Sequence, residues 1–242
     1  ALYYLNKSIG LCISELGTEN TRLISGYLNR GNLLCKLNDP QSGISDFSKG
    51  LEVAKKAFGE YHPQISELYK AISGVMLSRG KIDSSFFYQR RALKIKERCF
   101  ARPHPALVSG YREMGELHQV LGKTDSARFF HIRSLEAGYT QPFKADEINS
   151  SLIIDQYEFA LTVFNLCRLD YNEYLISGNQ DLLVEIIRLY DYVNIFVNTV
   201  ISDFILEETK IRLLNQLSEH TGIAVEAAFE MYGRTADPEY FD

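Results

Sequence analysis

Apolar and polar positions recur along the first 140 residues with a spacing of 42. Three tyrosines carry the pattern: Tyr27, Tyr69 and Tyr111. Four positions before each tyrosine stands an apolar residue: Leu23, Ile65 or Leu107. Six positions after it stands another: Leu33, Val75 or Leu117. Four positions after it stands a small residue: Gly31, Ser73 or Gly115. Self-similarity at a period of ~20–50 residues is typical of solenoids. The pattern therefore predicts stacked units rather than one core wrapped around one site.

Each unit is predicted to be a pair of antiparallel helices. Apolar residues between Pro63 and Gly80 recur at spacings of three and four, which indicates one face of an α-helix. Pro63 suits a first helical turn, and Gly80 suits the left-handed conformation that ends a helix. Residues 84–97 complete the second unit. The third unit breaks at Gly122, and the first unit uses Asn38, Asp39 and Pro40 for the same break.

The repeat also extends backward, because Ala1 and Leu5 correspond to Gly43 and Phe47. The chain is therefore expected to open on the second helix of a unit. Since residue 1 is not a methionine, the sequence is expected to be a piece of a longer protein.

The spacing of aromatic, small and turn residues resembles the tetratricopeptide repeat. The residues that carry the resemblance are Tyr69, Ser73, Gly80, Ser85 and Ala92, with their partners 42 positions away. The ordinary period of that repeat is ~34 residues. The longer form, with His-Pro between units as at residues 62–63 and 104–105, is similar to the kinesin-light-chain subclass. The resemblance implies an all-α fold, in which helix pairs form a right-handed superhelix. The sequence departs from the family pattern at Gly50, Gln89 and His131.

The resemblance covers residues 1–140. It predicts a half repeat at 1–19 and repeats at about 20–61, 62–103 and 104–140. Residues 141–242 are predicted to be a divergent helical extension that caps the solenoid. Its predicted elements are one long helix over 147–176, a break at 177–180, an apolar helix over 181–203, helices over 204–219 and 222–232, and a linker over 235–242. Charged residues interrupt 181–203 at helical spacing, which favours a buried helix over a membrane span.

The order of features in the extension resembles the region that precedes the caspase-like (CHAT) peptidase domain in bacterial TPR–CHAT proteins. The features are the long hairpin, the helix at 208–219, the Ala-rich helix ending at Tyr232 and the linker that follows. This resemblance implies that the catalytic residues lie beyond Asp242, outside this sequence.

Composition and motifs favour a scaffold over an enzyme. The net charge is −5, so nothing in the overall charge supports binding to nucleic acid. No nucleophile, phosphate-loop, dinucleotide or zinc motif is present in the sequence. The sequence thus predicts no catalytic residues, no metal and no cofactor. The four cysteines form no Cys-x-x-Cys pair and favour buried thiols in a reducing, cytoplasmic location.

The histidines are expected to act locally. His62 and His104 precede prolines between units and are expected to cap or pack those turns. His118 and His131 belong to facing helices of the third unit and are expected to pack or hydrogen-bond there, since a metal site would need further ligands.

The expected binding surface is the concave face lined by the first helix of each unit. Candidate peptide-binding residues on this face are Asn32, Lys36, Lys70, Leu77, Arg112, Glu116 and Gln119. Lys70 and Arg112, 42 residues apart, resemble with Asn32 part of the set that grips a peptide carboxylate in some tetratricopeptide-repeat proteins. A solvated face of mixed charge is the alternative for the same residues.

These observations predict a non-catalytic scaffold that binds a protein or peptide, with no nucleic-acid or membrane partner, as a regulatory or recruitment arm of a larger protein. Two alternatives stay open: the sensor region of a caspase-like (CHAT) peptidase, and a structural oligomerisation module that associates through the apolar hairpin at 181–203. The sequence does not assign an oligomeric state.

Overall fold

The structure, a computed structural model, describes residues 1–143, 148–190, 222–223 and 225–233. The chain divides into two compact parts, Ala1–Ala101 and Arg102–Asp242. From here on, the first and second unit mean these two parts, and each 42-residue repeat is called a hairpin. The described elements are helical, and strand-type pairing within the described ranges is confined to one isolated bridge between Tyr139 and Ile153. The prediction of an all-α fold built from helix pairs is confirmed.

The first unit contains five helices. They are α1 (Leu2–Leu16), α2 (Arg22–Lys36), α3 (Pro40–Phe58), α4 (Pro63–Ser78) and α5 (Ile82–Cys99). α2 pairs with α3 and α4 with α5, while α3 also packs against α4 and α1 against α2. One core runs through the two hairpins, with Ile24, Phe47, Ile65, Leu68 and Tyr69 among its buried side chains.

The second unit begins with the hairpin of α6 (Pro105–Val120) and α7 (Thr124–Gly138). A short 3₁₀ turn (Ser150–Leu152) precedes α8 (Gln156–Ser177), which packs against both α6 and α7. Residues 181–190 and 225–233 are also helical. Leu135, Phe159, Val163, Leu183 and Ile186 belong to the core that joins these elements.

The three hairpins turn at equivalent positions. Asn38, Gly80 and Gly122, each 42 residues from the next, have φ angles of 64°, 69° and 67°. The left-handed conformation is open to glycine without penalty and is tolerated by asparagine, which explains the residue types at this position. The helix breaks expected at these positions are therefore confirmed.

Histidine caps the first helix of two hairpins. Nδ1 of His62 accepts from the backbone N–H of Gln64 at 3.3 Å, and Nδ1 of His104 accepts from that of Ala106 at 3.0 Å. The first turn of a helix leaves its N–H groups without intrahelical partners, so each imidazole satisfies one of them. The local role expected for both histidines is confirmed.

Helices within a hairpin meet where one side chain is small. In the second hairpin, the hydroxyl of Ser73 donates to the backbone carbonyl of Ser85 at 2.8 Å. In the first hairpin, a Cβ on Gly31 would stand 2.5 Å from Cε1 of Phe47, closer than packed atoms permit. Position 31 and its equivalents must therefore stay small for the helices to pair.

The long helix predicted over 147–176 begins later than expected. Within the described part of that range, residues 148–155 are not α-helical, and α8 begins at Gln156 with the Asp155 side chain accepting from the N–H of Glu158. The backbone of Thr140 donates to the Leu152 carbonyl at 2.9 Å and thereby holds the segment before α8 against the residues that follow α7. The predicted break after α8 is confirmed by Gly178, whose φ is 69°.

The predicted apolar helix over 181–203 is helical at 181–190 and buried along one face, where Leu183 and Ile186 are fully enclosed. Residues 191–203, the predicted helix at 204–219 and the linker at 235–242 lie outside the described residues. No helix in the described ranges is long and apolar enough to cross a membrane.

Candidate binding face

The predicted binding residues of the first unit lie on α2 and α4, the first helices of its two hairpins. Asn32 and Lys36 are exposed near the end of α2, and Lys70 and Leu77 are half-buried on α4. In the part of the chain that the structure describes, no hydrogen bond or ion pair engages Asn32 or Lys36. Their polar groups are therefore turned to solvent and open to a ligand.

An exposed glycine on α4 belongs to the same face. Gly74 on α4 corresponds to Asn32 on the neighbouring α2, and a Cβ at Gly74 would meet nothing within 4 Å. A helical glycine with open space above it leaves the backbone accessible to a ligand at close range. We call the surface formed by Asn32, Lys36, Gly74 and Leu77 the α2–α4 strip.

The equivalent face of the second unit is closed by ion pairs. The guanidinium of Arg112 on α6 donates to Glu158 on α8 at 2.8 Å and pairs with Glu116 one turn away. Only 14% of the Arg112 side chain is exposed. Burial lowers the pKa of Arg112, but the charges of Glu116 and Glu158 outweigh burial and raise it above its ordinary value. Arg112 is thus a structural cation that joins two helices.

Glu116 and Gln119 continue this contact along α6. Asn165 on α8 donates from Nδ2 to Glu116 at 3.0 Å, and Gln119 donates to the Asn165 carbonyl at 3.2 Å. Arg168 donates to Oε1 of Gln119 at 3.0 Å. The three predicted residues Arg112, Glu116 and Gln119 are therefore brought together, in a network that α8 completes.

Sequence reasoning missed the α8 members of this network, Glu158, Asn165 and Arg168. They lie 46 to 49 residues from their partners, whereas the repeat predicts contacts between positions 42 apart. No periodic signal places α8, because its helix starts outside the repeat. Lys70 and Arg112 belong to different units, so the predicted stacking of these two cations stays a prediction.

Two histidines of the second unit are buried against neighbouring side chains. His118 stacks on Phe130 with ring centroids 5.1 Å apart, and His131 is fully buried against Gly115. Burial, with the charges of Arg112 and Arg168, lowers the pKa of His131 to about 3, so its imidazole is neutral at pH 7. The described residues contain no group of three or more acidic, His or Cys side chains placed to hold a metal ion.

The cysteines are unpaired thiols in the structure, but the expected burial is found only for Cys167: Cys99 is exposed, and Cys12 and Cys35 are half-buried. Cys167 is fully buried, and burial raises the pKa of its thiol far above the ordinary value. A thiol that stays protonated is a poor nucleophile. Cys167 therefore acts as a packing residue.

The tetratricopeptide repeat family model matches residues 22–98, which span α2 to α5. No curated protein sequence matches the chain.

Two solved structures share the fold. The crystal structure of BtubC (BKLC) from P. vanneervenii is 14% identical and superposes with a TM-score of 0.63, over 84% of this chain and 74% of the other. A putative kinesin light chain from Podosopora anserina, with nearly identical TPR-like repeats, is 12% identical with a TM-score of 0.60, over 78% of this chain and 85% of the other. Both structures have the helix-pair fold that the resemblance to repeats of kinesin-light-chain type implies.

Proposed function

We propose that the chain is a non-catalytic scaffold whose α2–α4 strip binds a peptide segment of a partner protein. Tetratricopeptide repeats mediate contacts between proteins, and the matched segment, residues 22–98, contains the whole strip. The observation that carries the proposal is the contrast between the two units. Asn32 and Lys36 are unengaged, whereas Glu116, which corresponds to Asn32, is bonded within its own unit.

The strip favours an extended peptide. Gly74 lets a backbone approach α4 closely, Asn32 supplies both a donor and an acceptor, and Lys36 supplies a positive charge. Leu77 adds an apolar contact at the same face. Groups of this kind bind a peptide through its main chain and one or two side chains.

The wider role we propose is a regulatory or recruitment arm in the cytoplasm. In such an arm, a repeat face selects the partner and the rest of the protein supplies the effector. The resemblance to TPR–CHAT proteins rests on residues that are in part outside the described ranges. In the alternative, residues 181–203 form an oligomerisation surface. Leu183 and Ile186 could not contribute to it, because they are enclosed within the second unit.

The test is a selection of peptides from a displayed random library against the whole chain, followed by affinity measurements with variants. Gly74→Leu would place a side chain in the open space of the strip. Gly10→Leu on α1 is the matched control, because it is also an exposed helical glycine with nothing within 4 Å. We expect selected peptides to bind the Gly74 variant at least about tenfold more weakly and the Gly10 variant unchanged. Equal binding to both variants would place the peptide elsewhere.

A further inference from the structure

A polar pocket of the first unit shares no residue with the α2–α4 strip. Its volume is about 210 Å³, and it opens between the loop that precedes α4 and the hairpin of α4 and α5. Its lining is formed by Glu60, Tyr61, Tyr69, Arg91, Lys94 and Ile95.

Two cations of the pocket lack an acidic partner. Nη1 of Arg91 donates to the hydroxyl of Tyr69 at 3.2 Å, and its guanidinium lies 4.7 Å from the ring centre of Phe87. These contacts fix the guanidinium without neutralising it. Across the described ranges of the chain, neither Arg91 nor Lys94 has a carboxylate within ion-pair distance.

The second unit contains the same arrangement 42 residues later. Arg133 lies 5.5 Å from the ring centre of Tyr111, as Arg91 lies 5.7 Å from that of Tyr69. Here, however, a carboxylate is present: Glu136 accepts from Arg102 at 3.2 Å and pairs with Arg133 at 3.6 Å. A tyrosine with an arginine beside it thus receives a carboxylate at this position of the repeat.

In the first unit Lys94 corresponds to Glu136 and Glu60 corresponds to Arg102, so these two charges are exchanged between the units. Lys94 thus places a cation near Arg91, where the second unit has Glu136 beside Arg133. We propose that the Arg91–Lys94 pocket binds a Glu or Asp side chain from an acidic segment of a partner protein. The ligand's carboxylate takes the place beside Arg91 that Glu136 takes beside Arg133. Arginine next to an aromatic ring is well suited to this, because its planar donors match a carboxylate.

The charges around the pocket favour an anion in spite of Glu60. Glu60 pairs with Lys55 at 3.1 Å, so its charge is compensated on the rim. Arg98 lies 4.0 Å from the ring centre of Tyr61 and adds a further positive charge. Tyr61 and Phe87 are 43% and 51% exposed and can contact the apolar part of an acidic side chain or its neighbours.

The experiment uses tetraglutamate as the probe and follows backbone amide shifts of residues 91–95 in the whole ¹⁵N-labelled chain. Lys94→Glu restores the carboxylate found in the second unit and is expected to occupy Arg91 internally. The matched control is Arg90→Glu, an exposed change of the same charge on the same helix. We expect binding to weaken about tenfold in the Lys94 variant and less than twofold in the Arg90 variant.

Inorganic phosphate provides a second arm, since a phosphate group also suits two cations. Saturable shifts at residues 91–95 with tetraglutamate, lost in the Lys94 variant, support the proposal. Equal weakening in both variants would show attraction by overall charge and overturn it. Binding of phosphate with no response to tetraglutamate would overturn it as well. None of these outcomes depends on the α2–α4 strip. A Gly74→Leu chain should therefore bind tetraglutamate as the wild type does in the same titration.

Discussion

The imidazole of His131 on α7 lies directly over Gly115 on α6, so close that a Cβ on Gly115 would stand 2.5 Å from the ring's Cε1. Two repeat lengths earlier, Gly31 and Phe47 make the same contact at the same separation. A glycine opposite a ring therefore recurs in the first and third hairpins, where the ring fills the space that the missing side chain leaves. The second hairpin has Ser73 and Gln89 at the same positions.

The first prediction concerns this glycine. Gly115→Ala forces a methyl group into the ring of a fully buried residue, and overpacking of this kind lowers the free energy of unfolding by about 2 kcal/mol or more. Gly74→Ala is the control, since its Cβ meets nothing within 4 Å and alanine favours helix by about 0.5–1 kcal/mol. Urea unfolding of both variants measures the difference. Similar stability changes at the two positions would mean that α6 and α7 do not meet at Gly115.

The second prediction concerns acid stability. The pKa of His131 is lowered to about 3 in the folded chain, mainly by burial, against about 6.5 when unfolded. The unfolded chain therefore binds a proton first, and the stability due to neutral His131 is present above pH 6.5 and is lost as the pH falls toward 3. Between pH 7 and pH 5 this group alone removes about 2 kcal/mol from the free energy of unfolding.

His131→Phe places at position 131 the residue type of the equivalent Phe47 and should remove that dependence. The free energy of unfolding of the variant should therefore rise relative to that of the wild type as the pH falls. Gln89→Leu is the control, because Gln89 holds the equivalent position in the second hairpin and does not titrate. Its stability difference from the wild type should be the same at both pH values. A wild-type chain and His131 variant with parallel pH profiles would show that His131 is hydrated or paired when folded.

The third prediction concerns the ion pair of Arg30 and Asp46. Nε and Nη2 of Arg30 donate to the two carboxylate oxygens of Asp46 at 2.6 and 2.7 Å, and only 4% of the Asp46 side chain is exposed. Asp46→Asn should cost about 3 kcal/mol, because it leaves the partly buried Arg30 charge without its partner. Glu19→Gln removes the exposed pair with Lys56 and should cost less than about 0.5 kcal/mol. Thermal unfolding at two salt concentrations separates the cases, and equal small losses would count against a buried pair.

The fourth prediction uses a hydrogen bond whose donor changes helix between repeats. Ser66 on α4 donates to the Ala92 carbonyl at 3.0 Å, whereas in the next repeat Ser134, at the position of Ala92, donates to the Val108 carbonyl at 2.8 Å. Ser134→Ala should cost about 1 kcal/mol. Adding Val108→Ser recreates the arrangement of the second hairpin and should recover part of that loss. A double variant at least as unstable as the sum of the single changes would contradict the equivalence of the hairpins.

The repeat made most of the hairpin architecture predictable. The turn positions of Asn38, Gly80 and Gly122 and the caps at His62 and His104 follow from residue types that recur at one spacing, because local backbone chemistry fixes them. The extension was less predictable. Tyr139 and Ile153 pair through their backbones although no periodic relation links their segments, and α8 starts later than the sequence predicts.

The sequence predicts which side of α6 carries the candidate residues, but not which groups engage them. Helical spacing correctly groups Arg112, Glu116 and Gln119 on one side of α6, yet their partners come from α8, whose register the repeat does not set. Alignment of the repeats by eye does reveal the exchange of Lys94 for Glu136. Its meaning, however, depends on seeing that Glu136 reaches Arg102 and Arg133.

The most direct measurement of the central claim, that the hairpins are equivalent units of 42 residues, is the removal of one of them. Deleting residues 63–104 joins His62 to Pro105 and restores the His-Pro pair of the repeat. In a solenoid, α6 should then pack on α3 as α4 does, since each repeat contacts only its neighbours. Circular dichroism and thermal unfolding should show a helical chain with a cooperative transition, whereas deletion of 63–100, which breaks the period, should not. A disordered or aggregated chain after the 42-residue deletion, or equal behaviour of the two deletions, would contradict the account.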